Sequence, residues 1–187
     1  EDFHKSQNYS EKNRYWNSVN EYIPDIITKD FAELFGFLIG DGGISKNTVW
    51  FAMGIDDDIN NKFISLLQRF TGKIGQINSK KTLFRIHSKM LVVILQRLGF
   101  SGLSTSKRIP EWGFRSKPEI KESLINGIYL ADGTSYTDKW NCTRYSFELS
   151  NEELIKDIKI LIQDLGYKTG KISCRDRNNK QIIIKDK

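Results

Sequence analysis

Two aspartates, Asp41 and Asp132, each close an apolar stretch of the same design. The first reads Leu34-Phe35-Gly36-Phe37-Leu38-Ile39-Gly40-Asp41-Gly42, the second Ile125-Asn126-Gly127-Ile128-Tyr129-Leu130-Ala131-Asp132-Gly133. Small residues recur four apart in each: Gly36 and Gly40, Gly127 and Ala131. On a helix that spacing stacks them on one face, which leaves the face flat, so two such helices can approach closely. Each helix then delivers a carboxylate at its C-terminal end, where the macrodipole is negative and a cation is favoured. Two carboxylates brought together in this way make a metal site.

The elements around these aspartates repeat as well. In the first copy a strand is expected near 48–53, a helix from Asp57 to Phe70, strands near 73–78 and 82–88, and a closing helix over 90–98. In the second a strand is expected near 143–149, a helix from Asn151 to Leu165, and strands near 168–175 and 181–185. The two central helices match residue for residue. Ile59, Phe63, Leu66, Leu67 and Phe70 have the spacing of Leu154, Ile158, Leu161, Ile162 and Leu165. That is the stripe of an amphipathic helix packed on a sheet. Asp56 is the expected N-cap of the first, and Ser150 with Glu153 a capping box for the second. The organisation is an extension over 1–27, a repeat over 28–100, a polar basic linker over 101–117 and a second repeat over 118–187 without a closing helix. The extension carries Tyr9, Tyr15, Trp16 and Tyr22, and is expected to pack on the first repeat; the other reading is an arm that contacts nucleic acid.

The 187 residues carry a net charge of +6, which points to a polyanionic partner. From Lys73 to Pro118 there are ten Lys or Arg and one acid, Glu111. No run of about 18 apolar residues is present to span a membrane, and no signal peptide opens the chain. The expected location is the cytoplasm, or wherever host DNA lies. Cys142 and Cys174 fit neither a disulfide framework nor a zinc site by spacing.

Strand alternation sorts the side chains into two faces. Phe84 and Ile86 fit a core, which turns Arg85 and His87 outward. Tyr145, Phe147 and Leu149 are expected inward, with Arg144, Ser146 and Glu148 outward. Ile172 and Cys174 are expected inward, with Lys171, Ser173 and Arg175 outward. Lys73, Gln76, Asn78, Lys80 and Lys81 extend the set, with Arg108 in the linker and Arg177 after Arg175. A face of Arg, Lys, Ser, Gln and His can bind phosphates and read base edges in a major groove. An ordinary solvated sheet would alternate in the same way, but the basic bias recurs over two sheets.

The two nonamers resemble the paired motifs of LAGLIDADG homing endonucleases in their single-chain, two-repeat form. The match is anchored at Gly36, Asp41 and Gly42, and at Gly127, Asp132 and Gly133. Lys107-Arg108-Ile109-Pro110 resembles the Lys-x-Ile-Pro segment ahead of the second motif in intein-encoded members. The resemblance implies an α+β fold of two pseudo-symmetric αββαββ(α) repeats. They would form a saddle of antiparallel sheets over double-stranded DNA, joined at the two motif helices. It implies a monomeric enzyme that hydrolyses both strands at a long target site, in intein or intron homing. Asp41 and Asp132 would bind divalent metal, with carbonyl oxygens of Gly40 and Ala131 as further ligands. Mg²⁺ suits such an all-oxygen site; Mn²⁺ would substitute, and Ca²⁺ would bind without supporting cleavage. Lys107 takes the role of the catalytic-site lysine.

The chain departs from the pattern in two places. The motif's sixth position, usually acidic, is Ile39 and Leu130. The partner of Lys107 in the second repeat would fall past Lys187. Glu1 and Asp186-Lys187 supply none of the residues that self-splicing needs, so this chain alone is not expected to splice. The competing readings are a DNA-binding regulator that has lost cleavage and an intron RNA maturase using the same face.

Overall fold

The structure is a computed structural model and describes residues 24–175 and 181–184. The expectations for the N-terminal extension as far as residue 23 and for Arg177 lie outside the described residues.

Helix α1 (Lys29–Asp41) starts at Thr28, whose hydroxyl accepts the Phe31 N–H at 3.3 Å. It runs straight into strand β1 (Gly42–Ser45), which turns back as β2 (Thr48–Ala52). Helix α2 (Asp57–Thr71) follows, capped by Asp56 as expected; its carboxylate accepts the N–H groups of Asp58 and Ile59. Strands β3 (Gln76–Ile77) and β4 (Leu83–His87) complete the sheet, and helix α3 (Lys89–Arg97) closes the repeat. The linker holds a 3₁₀ turn over Ser104–Ser106 and a short helix, α4 (Glu111–Arg115).

The second repeat retraces the first. Helix α5 (Pro118–Asp132), begun by a proline whose missing N–H costs nothing there, leads into β5 (Gly133–Thr137) and β6 (Thr143–Leu149). Helix α6 (Glu152–Asp164) is followed by β7 (Ile172–Arg175) and β8 (Gln181–Ile184). Both sheets are antiparallel and have the same order, β1-β2-β4-β3 and β5-β6-β8-β7. The fold is α+β with two like repeats, as expected.

Three local expectations are corrected. Strands β1 and β5 start at the glycine of each Asp-Gly, where the residue pattern predicts no strand. The cap of α6 is Asn151, which accepts the Leu154 N–H at 3.1 Å, so Ser150 makes no capping box. Tyr145, expected inward, is half exposed, although its ring meets Tyr129 edge-on.

One core runs through both repeats. Phe37 stacks on Phe63 and meets Phe51 edge-on at 5.2 Å, while Phe35 lies between Phe100 and Trp112. Helices α1 and α5 cross at the centre and, among the described residues, make the most extensive contact between two elements. A Cβ at Gly36 would overlap the Leu124 carbonyl oxygen and lie 3.1 Å from the Ile128 nitrogen. A Cβ at Gly127 would overlap the Glu33 carbonyl oxygen and lie 2.7 Å from the Phe37 nitrogen. The two glycines therefore let the backbones touch, which brings the helix ends together.

Candidate metal centre and nucleic-acid face

The crossing of α1 and α5 sets Asp41 and Asp132 side by side at two C-terminal helix ends. A Cβ at Gly40 would overlap that of Ala131 and lie 2.6 Å from the Asp132 carboxylate. The second aspartate thus reaches over the backbone that carries the first. Burial raises the pKa of Asp41 to about 6; the charge of Asp132 adds to the rise and Lys107 opposes it. Burial raises that of Asp132 as well, again opposed by Lys107. Two partly dehydrated carboxylates beside two negative dipole ends favour a cation.

Lys107 already reaches this corner. It is buried, and its ammonium donates to the carbonyls of Leu38, Gly40 and Gly42 at 3.2, 2.9 and 2.7 Å. Three N–H donors meet three acceptors, so the lysine also caps the C-terminal end of α1. Burial lowers its pKa, while Asp132 and Asp41 raise it. The Gly40 carbonyl, expected as a metal ligand, is engaged by Lys107.

Among the described residues no cluster of three or more His, Cys, Asp or Glu is arranged for a metal ion. The donor set is two carboxylates with carbonyls beside them. It fits Mg²⁺, which keeps several waters and often takes only one or two carboxylates besides substrate phosphates. It does not fit zinc, which wants nitrogen or sulfur ligands.

The outward sheet faces carry part of the expected DNA-binding set. In the first sheet Gly43, Trp50, Arg85 and Gln76 form one row across β1, β2, β4 and β3. Arg85 and Gln76 are exposed there, and His87 stands beside Thr48 with their side chains 3.2 Å apart. Lys80 and Lys81 are exposed on the β3–β4 turn, and Lys171 and Ser173 are exposed in the second repeat. Lys73 is half-buried. Trp50 was missed, although the alternation of β2 between buried Val49 and Phe51 marks it as outward.

Other members of that set are occupied elsewhere. The Arg108 guanidinium donates to Asp157 at 2.6 and 2.8 Å and lies beside Glu153, so it faces α6 and not a sheet surface. The Asn78 side chain accepts the N–H groups of Thr82 and Leu83 and so builds the turn. Arg144 is paired with Asp138. Ser146 is buried and hydrogen-bonded to Thr134, its partner across the β5–β6 pair. Arg175 lies at the end of β7, opposite Gln181.

No family model matches the chain. Residues of the chain are 27% identical over 169 positions to an iron–sulfur cluster assembly SufBD family protein of Mycobacterium leprae, covering 83% of this chain and 19% of that protein. They are 26% identical over 154 positions to a DNA polymerase of Thermococcus hydrothermalis, covering 78% and 9%. They are 27% identical over 171 positions to the replication factor C small subunit of Methanocaldococcus jannaschii, covering 77% and 9%. The chain thus spans a fifth or less of the length of these relatives. Among solved structures, the homing endonuclease I-DmoI in complex with DNA and Mn superposes with a TM-score of 0.64 at 20% identity, over 85% of this chain and 89% of that one. The N-terminal LAGLIDADG domain of DUF199/WhiA superposes with a TM-score of 0.56 at 12% identity, over 88% and 80%. The chain has the LAGLIDADG fold. Within that fold Asp41 and Asp132 stand at the ends of the two motif helices. Among the described residues no helix is long and apolar enough to cross a membrane.

Proposed function

We propose that this protein is a metal-dependent, site-specific endonuclease that breaks both strands of DNA. The observation that carries the reading is the meeting of Asp41, Asp132 and Lys107 where the two motif helices cross, beside a first sheet whose outer face exposes Arg85, Gln76 and His87. Asp41 and Asp132 would hold Mg²⁺ or Mn²⁺. A cation there would polarise a phosphoryl oxygen and lower the pKa of an attacking water. Lys107 sets a positive charge beside both carboxylates, where charge develops on the phosphate in the transition state. To reach a phosphate oxygen its ammonium must give up one of its three carbonyls. Arg85, Gln76, Lys80, Lys81 and Lys171 would hold the duplex, with Trp50 in the same row.

The curated relatives support a homing role of the intein kind. Their names share no activity, and the matched segment is a minor part of each. A segment common to unrelated proteins is what an inserted mobile element would produce. The internal repeat supports a monomer, since one chain supplies both halves of the site.

Cleavage of a randomised DNA-site library by the purified protein, with Mg²⁺ and with EDTA, tests the proposal. Double-strand cuts at a long site are expected with Mg²⁺ only. Asp41→Asn and Asp132→Asn should each abolish cutting, a loss of at least about 100- to 1,000-fold for removing a charge-stabilising group, and leave DNA binding largely intact. Cutting at the parent rate by either variant would overturn the metal assignment. Binding without cutting by the parent would favour the DNA-binding regulator.

A further inference from the structure

Lys107 comes from the linker, yet it is held by the second repeat and used at the end of the first repeat's helix. Its main chain is fastened to α6 at two points. Asn151 donates from its side-chain amide to the carbonyls of Lys107 at 2.8 Å and Ser104 at 3.1 Å. Its oxygen meanwhile caps α6 through the Leu154 N–H. Asp157, 4% exposed, accepts the main-chain N–H of Ile109 at 3.1 Å and two bonds from Arg108. The carbonyl of Lys107 and the nitrogen two residues on are both pinned, so the direction in which the lysine leaves the chain is fixed.

The first repeat shows that capping alone does not require these residues. By the matched helix stripes, Asn151 corresponds to Asp56 and Asp157 to Lys62. Asp56 caps α2 equally well, and a carboxylate could not donate to a carbonyl. Lys62 turns to Glu33 at 2.6 Å. A carboxylate buried like Asp157 is costly unless fully bonded, and its bonds here are all spent on the residues that follow Lys107.

We propose that Asn151 and Asp157 are positioning residues for Lys107, fixing the linker so that its ammonium reaches the crossing of the motif helices. The effect on cleavage rests on the role given to Lys107 above; the effect on its placement does not. Asn151→Ser tests it, because serine keeps the helix cap but cannot reach both carbonyls. Asp157→Asn is the second variant: it still accepts from Ile109 and loses the charge that holds Arg108.

Two readouts are needed. Acetylation of Lys107 by acetic anhydride, followed by mass spectrometry relative to Lys62, should rise severalfold in Asn151→Ser with the melting temperature held. Unchanged labelling in both variants would overturn the proposal. Single-turnover cleavage should fall about 10- to 100-fold, the scale of a displacement of roughly 1 Å. DNA affinity should stay the same, and the loss should vanish in a Lys107→Ala background. An equal loss in that background would show that Asn151 acts independently of the lysine, and would also overturn the proposal. If Lys107→Ala itself cuts at the parent rate, the role of the lysine fails, while the labelling result still decides its placement.

Discussion

The two repeats share one chain path but are not equally closed. In the first sheet Phe51 lies opposite Gly42, and in the second Phe147 lies opposite Gly133. Two residues earlier stand Val49, fully buried, and Tyr145, 54% exposed. The difference comes from α3, which follows β4, contacts β2 and buries Leu91, Val92 and Leu95. Among the described residues no helix follows β8. That face is left as a groove of about 750 Å³ lined by Tyr129, Tyr145, Phe147, Leu165 and Tyr167, among others. Among the described residues the first repeat is therefore the more closely packed around this position. Phe51→Ala should cost about 3–5 kcal/mol, the range for a buried aromatic. Phe147→Ala, beside open space that neighbours can fill, should cost less, toward the low end of that range. Urea unfolding measures both, and equal losses would mean that the second core is as closed as the first.

Where the repeats meet they are alike, and mutation there should show it. Gly36 and Gly127 each face the partner helix's main chain, and an added Cβ at either would overlap a carbonyl oxygen that cannot rotate away. Gly36→Ala and Gly127→Ala should each lower stability by roughly 1–3 kcal/mol through forced separation of the helices. Both should also slow cleavage, because the separation pulls Asp41 from Asp132. A stability loss confined to one of them, by thermal melting, would break the symmetry that the contacts imply.

The same contrast explains what could be read from the sequence. The amphipathic stripes of α2 and α6 and the paired Asp-Gly ends declared the repeat, because helix packing demands that spacing. Strands β1 and β5 were silent: Gly42-Gly43-Ile44-Ser45 and Gly133-Thr134-Ser135-Tyr136-Thr137 carry little alternation. They are strands because their neighbours pair with them, a tertiary decision. In the linker, Trp112 and Phe114 are half-buried against the core, which its polar composition concealed. The carboxylates were legible because close helix packing leaves a sequence mark. The hold on Lys107 was not, since Asn151 and Asp157 lie 44 and 50 positions away and look like ordinary helix residues. A faint signal existed in Asn151, an amide where the first repeat places Asp56. A basic linker gives no sign of a buried partner, so the sequence alone points Arg108 to DNA.

A last contrast concerns the aspartates, which the two repeats supply together. In the metal-free protein Asp41 titrates at about 6 against an ordinary 3.8, chiefly through burial and then through Asp132. Between those values the folded state holds a proton that the unfolded chain has released. Stability from this group is therefore present at low pH and falls as pH rises through about 4 to 6. The difference in melting temperature between Asp41→Asn and the parent, in EDTA, should widen in favour of the variant across that range. Asp132→Asn should remove only part of the slope, since it takes away one charge and leaves Asp41 buried. Added Mg²⁺ should reverse the trend, because the cation takes the ionised carboxylate, so its stabilisation grows as pH rises through about 6. A parent and an Asp41→Asn variant that melt in parallel from about pH 4 to 7, with or without Mg²⁺, would mean that Asp41 is neither buried with Asp132 nor a ligand.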